Sequence, residues 1–140
     1  MKLFKMAIVL VAITAVLAVS CGKGGSEIKI GNINPVTGEA ASFGASTKNG
    51  ATMAADEWNA KGGLLGKKIK LVYADDKGDP AEGAAVFTKM IQQDKVTAIL
   101  GGITSRVALA GAPIAQEAKI PMLTPTATNE KVTQVGDYIF

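Results

Sequence analysis

The spacing of apolar residues divides the chain into one long uncharged run followed by short apolar segments that alternate with longer amphipathic ones. After the run, Glu27 to Ile33 alternates and then turns apolar through Ile28, Ile30 and Ile33, which predicts a first strand. Asn34-Pro35-Val36-Thr37-Gly38 is turn chemistry. From Ser42 the period lengthens: Ala51, Ala54, Ala55 and Trp58 fall at i, i+3, i+4 and i+7, one face of a helix. Asn59 to Gly63 ends that helix, its glycines suited to a left-handed cap. Leu64 to Lys68 is a connector, Ile69 to Ala74 a second strand, and Asp75 to Pro80 a polar turn. Pro80 suits the first position of the next helix, whose predicted inward stripe is Ala84, Phe87 and Ile91. Val96 to Leu100 reads as a third, buried strand, followed by Gly101, Gly102 and a helix to about Ala118 that Pro113 should bend. Ile120 to Leu123 is a brief fourth strand, Thr124 to Thr128 a hydroxyl-rich loop, and Tyr138 to Phe140 the start of another strand.

Strands and helices alternating at this spacing predict βαβ units, a parallel sheet and right-handed crossovers, an α/β Rossmann-like fold. Such sheets take ligands outside the carboxyl ends of their strands. Four loops fall there, 34–43, 75–80, 101–105 and 124–128, and three of them are rich in Gly, Ser, Thr and Asn. Backbone and hydroxyl hydrogen bonds therefore dominate, the equipment of a binder more than of a catalyst. The loop with Asp75, Asp76 and Asp79 lacks the alternate-position ligands of a calcium loop and reads as a solvated turn. The stretch Ile99 to Arg106 is the most informative. A strand, a glycine turn and the hydroxyls of Thr104 and Ser105 at a helix start gather unpaired N–H groups at one point, where the helix dipole adds about half a positive charge. Ser105 there either caps its helix or receives a small anion such as a carboxylate.

Composition narrows the chemistry further. The 140 residues carry a formal charge of +3, but from Cys21 onward there are 13 basic and 12 acidic residues, and no basic run interleaved with aromatics suggests nucleic acid. There is no histidine, which removes Ser–His and Cys–His nucleophile pairs and His-ligated metals. No GxGxxG follows the first strand and no GxxxxGK[ST] occurs, so a Rossmann-type enzyme is disfavoured and no cofactor is implied. With one cysteine no intrachain disulfide forms.

At the front, Lys2 and Lys5 precede the uncharged run Met6 to Val19, 14 residues long, too short for a comfortable membrane span and right for a secretory signal. Ala18-Val19-Ser20-Cys21 resembles a bacterial lipobox, although Ala18 stands where leucine is most usual. Residues 1–20 are thus expected to be a lipoprotein signal peptide, Cys21 the lipidated residue, and 21–26 a flexible tether to a domain beginning at 27. The alternative is an ordinary secreted protein with a free thiol. The chain stops at Phe140 just as a strand starts, which predicts that it is the front part of a longer protein.

The segments IKIGNINPVTGEAASFG, GATMAADEWNAKGGLLGKKIKLVYADDKGDP, GGITS and APIAQEAKIPMLTPTATN resemble substrate-binding proteins of branched-chain amino-acid ABC transporters. The resemblance implies two Rossmann-like lobes of strand order 2-1-3-4-5 closing around a ligand, with residues 27–140 the N-terminal part of lobe 1, so that residues 21–140 alone are expected to show no measurable affinity for an amino acid. It implies an exported, membrane-tethered receptor that delivers an amino acid to ABC permease subunits and is not an enzyme. It also implies roles: Ser105 holding the ligand α-carboxylate, the Thr126 carbonyl and Thr128 hydroxyl holding the α-ammonium, the Thr128 N–H also facing the carboxylate, and Ala127 in the same loop. Phe43 matches an aromatic cover where relatives often have tyrosine; as an alternative it is a core residue. Thr128 has the alternative of capping a short helix at Asn129 to Val132. Arg106 follows the serine where many relatives carry something small, and is expected to point to solvent. A ligand-sensing ectodomain of the same fold is the competing function, decided by sequence downstream.

Overall fold

The computed structural model describes residues 27–140; the expected signal peptide, Cys21 and the tether lie outside the described residues. Four strands form one parallel sheet: β1 (Ile28–Asn34), β2 (Ile69–Asp75), β3 (Ala98–Gly101) and β4 (Met122–Leu123). Their order is β2-β1-β3-β4. Ile139 pairs in parallel with Met122, and Met122 N–H donates to the Tyr138 carbonyl at 2.8 Å. The segment at Tyr138 to Phe140 thus extends the sheet beyond β4, as its apolar pattern predicts.

Helix α1 (Ala41–Ala60) connects β1 to β2. It ends in a Schellman motif, with Gly63 N–H donating to the Trp58 carbonyl at 2.8 Å and Gly62 left-handed at φ +101°. Asn59 then exchanges two hydrogen bonds with the Ile69 backbone, pinning the helix end to the start of β2. The predicted face of α1 does turn toward the sheet, yet of that face only Ala55 is fully buried, and Trp58 is half exposed. Ala51, Ala54, Ala55 and Trp58 line an open apolar groove against Ile30, Leu71 and Leu100.

The opposite face of the sheet is closed. Helices α2 (Pro80–Lys89) and α3 (Ser105–Glu117) cover it, and Ile33, Phe87, Met90, Ile99, Val107, Ala112 and Met122 form the core there. Phe87 of the predicted stripe is fully buried and Ile91 packs partly buried on the core, but Gly83 and Met90, each one position earlier, are buried more deeply than the predicted Ala84 and Ile91. The cause is close packing. A Cβ on Gly83 would stand 2.7 Å from Val107, and one on Gly111 would stand 2.3 Å from Phe87, so the two helices touch where their glycines face. Gly83 has no apolar side chain to announce this. α2 then widens into a π-turn at Met90–Asp94, and α3 runs through Pro113 without interruption.

Asp75, Asp76 and Asp79 are not a solvated turn, as the sequence suggested. Asp79 is the N-cap of α2, its carboxylate accepting the N–H groups of Ala81 and Glu82, with Pro80 next. Asp75 accepts the N–H groups of Val36 and Lys77 and the hydroxyl of Thr37, which ties the loop after β1 to the loop after β2. Asp76 is fully buried and accepts the Gly78 N–H at 2.8 Å. Each aspartate thus takes up backbone N–H groups that a tight turn would otherwise leave unpaired.

Candidate functional site

β1 is bonded to both β2 and β3, and the chain leaves it toward one face of the sheet and returns across the other. The loops at the carboxyl ends of β1 and β3 therefore diverge, and a crevice opens between them. An open cleft of about 720 Å³ lies there, lined by Gly38, Glu39, Ala40, Phe43, Lys77, Gly78, Thr104, Ser105 and Arg106. A smaller hollow lined by Ala40, Phe43, Ile103, Thr104 and Thr126 shares its wall.

The turn after β3 builds the floor. Gly102 sits at φ +70°, and a Cβ there would approach Ala108 Cα to 2.9 Å, so glycine is needed both for conformation and for space. Thr104 follows in extended conformation as the N-cap of α3, but its side chain makes no capping bond. Its hydroxyl oxygen is buried without a partner among the described residues. Ser105 is the first helical residue, one place inside the cap the sequence offered it. The first-turn N–H groups of α3 thus have no side-chain cap, and Thr104 and Ser105 of this turn line the cleft.

The loop after β4 is stitched onto this turn. The Thr124 hydroxyl donates to the Gly102 carbonyl and the Thr126 hydroxyl to the Ile103 carbonyl, each at 2.7 Å. Asn129 N–H donates to the Ser105 hydroxyl at 3.3 Å. The Thr126 hydroxyl is thereby engaged with the turn. Thr128 is exposed and directly precedes Asn129, the residue bonded to Ser105. It does not cap the following helix, Glu130–Val135; that cap is Asn129, whose side chain accepts the Lys131 N–H. Ala127 is partly buried against the core instead of lining either hollow. Phe43 is 61% exposed at the start of α1, which removes the core alternative and leaves it as a wall of both hollows. Arg106 is exposed as expected, yet it also lines the cleft, its guanidinium beside Gly78.

Asp75 braces the first two loops from behind. Burial acts to raise its pKa, but the hydrogen bonds from Val36, Lys77 and Thr37 outweigh it and hold the carboxyl below its ordinary range. Burial pushes the neighbouring Asp76 carboxyl up, against the Gly78 N–H and with the repulsion of Asp75. Lys77 is raised by its hydrogen bond and ion pair with Glu82. Sequence reasoning missed Glu39 and Lys77 as cleft residues, hinted at only by the placement of 34–43 and 75–80 at strand ends, and offered Thr104 at the helix start without assigning it to the ligand. What the cleft offers a ligand is a positively polarised helix tip, hydroxyls and carbonyls, an aromatic wall and scattered surface charges.

A family model for periplasmic binding proteins matches residues 27–140. An amino acid binding protein of Pseudomonas aeruginosa is 38% identical over 135 residues, which is 96% of this chain and 36% of that protein. The Leu/Ile/Val-binding protein BraC3 of Rhizobium johnstonii is 41% identical over 111 residues, 79% of this chain and 30% of its own length. Among solved structures, the branched-chain amino acid transporter substrate-binding protein LivJ of Streptococcus pneumoniae, in complex with isoleucine, matches with a TM-score of 0.79 and 39% identity. The match covers 82% of this chain and 33% of that one. A solute-binding protein of an ABC transporter from Rhodopseudomonas palustris, in complex with 3,4-dihydroxybenzoic acid, matches with a TM-score of 0.75 and 32% identity over 81% of this chain and 31% of its own. The chain spans about a third of the length of these relatives. With an α/β sheet in the order β2-β1-β3-β4 and a family model that matches all the described residues, the chain belongs to the periplasmic binding protein family.

Proposed function

We propose that this chain is the ligand-gripping front part of an extracytoplasmic receptor that binds an amino acid, of the branched-chain class, and hands it to an ABC permease. The ligand's α-carboxylate docks on the first turn of α3, taking the Ser105 N–H and hydroxyl and the Thr128 N–H. The Thr126 carbonyl and Thr128 hydroxyl receive the α-ammonium, and Phe43 covers the aliphatic part. Carboxylates suit a helix N-terminus because the free N–H groups and the dipole act together. The single observation that carries the reading is the stitching of the 124–129 loop onto the 102–105 turn, through Thr124, Thr126 and Asn129, at the point where the sheet divides. That arrangement sets an anion-seeking helix tip beside backbone acceptors, the two halves of a zwitterion's partner.

The ligands named for the solved relatives support the division of labour. Isoleucine and 3,4-dihydroxybenzoic acid share a carboxylate and little else. The helix tip reads the shared group, and the walls read the remainder. In the same reading, residues 1–20 direct export and Cys21 carries the lipid that holds the receptor at the membrane outside the cytoplasm. Calorimetric titration of the full-length protein with leucine, isoleucine, valine and benzoate tests it. Micromolar or tighter binding of an aliphatic amino acid is expected; binding of benzoate alone would overturn the amino-acid assignment, and no binding of any amino acid or of benzoate would remove the receptor reading.

A further inference from the structure

The end of the sheet opposite the cleft has its own chemistry. Leu64 to Lys67 forms a hairpin closed by two backbone hydrogen bonds of 2.9 and 3.0 Å. Its tip residues Leu65 and Gly66 have φ of +53° and +72°. That turn suits asparagine or glycine, yet the first position holds a leucine that is 89% exposed. The segment from Lys61 to Lys70 contains four lysines and no acidic residue. The helix-to-strand turns before β3 and β4 each present a further lysine, Lys95 and Lys119, both left-handed at φ +56°. Lys67, Lys95 and Lys119 form no ion pair among the described residues, whereas Lys61 pairs with Glu57 and Lys70 with Glu27. Asp94 is held by Lys89, and the neighbouring acids also include Asp56 in the last turns of α1, Glu117 at the end of α3 and Asp137. Cations therefore run along the sheet's lower edge from β2 to β4, a span of about 14 Å at the usual strand spacing.

We propose that this end is a docking surface for an anionic phospholipid bilayer, with Leu65 entering the headgroup boundary and Lys67, Lys95 and Lys119 facing phosphates. The occupant follows from charge complementarity and from where the chain enters. Ile28 N–H donates to the Lys68 carbonyl at 2.9 Å, so β1 begins beside the hairpin. Five residues separate Cys21 from Glu27, a reach of at most about 20 Å over the six Cα–Cα steps. The inference rests on the lipid-anchor reading for this geometry: an anchor at Cys21 keeps this end of the domain, not the cleft, next to the membrane.

Full-length protein without leader or acyl chains (Cys21→Ser) is sedimented with phosphatidylcholine vesicles that contain or lack phosphatidylglycerol, at low and high salt. Binding is expected only with phosphatidylglycerol and is expected to fall with salt. Lys95→Gly and Lys119→Gly should each weaken it about fivefold, the usual weight of one lysine at an anionic surface. Leu65→Gly should weaken it several-fold. All three substitutions place glycine at a left-handed position, so each should keep or raise Tm, and lost binding cannot come from unfolding. Equal sedimentation with both vesicle types, or variants that bind like the parent protein, would overturn the proposal. Acylation of Cys21, read by mass spectrometry on membrane-extracted wild type, is scored apart: its absence ends the anchor reading, while the vesicles alone decide for the basic end.

Discussion

Replacing Ser105 with alanine separates a ligand-binding hydroxyl from a helix cap. Thr104, not Ser105, occupies the N-cap of α3, and the Ser105 hydroxyl makes one long bond, accepting the Asn129 N–H at 3.3 Å. Losing so long a bond at an exposed donor costs no more than about 0.5 kcal/mol, the low end for a neutral hydrogen bond. The folded protein should therefore melt within a few degrees of wild type. A carboxylate seated on the helix tip makes a charge-assisted bond to the same hydroxyl, worth about 1.5–3 kcal/mol. Kd should then rise roughly tenfold to a hundredfold, while the Ser105 N–H, untouched by the substitution, keeps binding measurable. Titration calorimetry and thermal melts on the same full-length variant give both numbers. A Kd within twofold of wild type, with a lowered Tm, would mean that Ser105 serves the helix and not the ligand.

Gly111→Ala sets helix propensity against packing. Alanine gains up to about 1 kcal/mol in a helix, but its Cβ would stand 2.3 Å from Phe87, and overpacking costs about 1–3 kcal/mol. A lower Tm is expected; a higher one would show that α2 and α3 have room to part. Asp76→Asn should raise Tm at neutral pH. The buried carboxyl has its pKa pushed up, so the native state binds its proton more tightly than the unfolded chain, and ionising it costs stability as pH climbs above the ordinary 3.8. The gain should fade as pH falls to that value, and a pH-independent difference between the two melting curves would contradict it. Asp75→Ala should do the reverse. Its pKa is held down, so its contribution is present above the ordinary 3.8 and is lost as pH falls through the lower folded value. A variant as stable as wild type at neutral pH would refute the bracing role.

Much of the architecture was legible because apolar spacing reports burial directly. Ile28, Ile30 and Ile33 marked β1, and Val96 to Leu100 marked β3 to within two residues. Where burial is achieved without an apolar side chain, the pattern says nothing. Gly83 and Gly111 bring two helices into contact by having no Cβ, which moved the inner stripe of α2 off its predicted line. Asp76 is buried in a turn that composition marks as wet, because its carboxylate serves a local N–H. The cleft was half legible. Glycines and hydroxyls after β3 identified a helix tip, but which residue caps it depends on backbone angles that put Thr104 outside and Ser105 inside. Glu39 and Lys77 reach the cleft through the tie between two loops made by Asp75, a contact 39 residues apart in sequence that no local pattern encodes.

The most direct measurement is the crystal structure of the full-length protein with isoleucine bound. The ligand carboxylate should lie within hydrogen-bond distance of the Ser105 N–H and hydroxyl and the Thr128 N–H, with its ammonium against the Thr126 carbonyl and Phe43 over its side chain. A carboxylate bound away from the first turn of α3, with Ser105 still bonded to Asn129, would contradict the account.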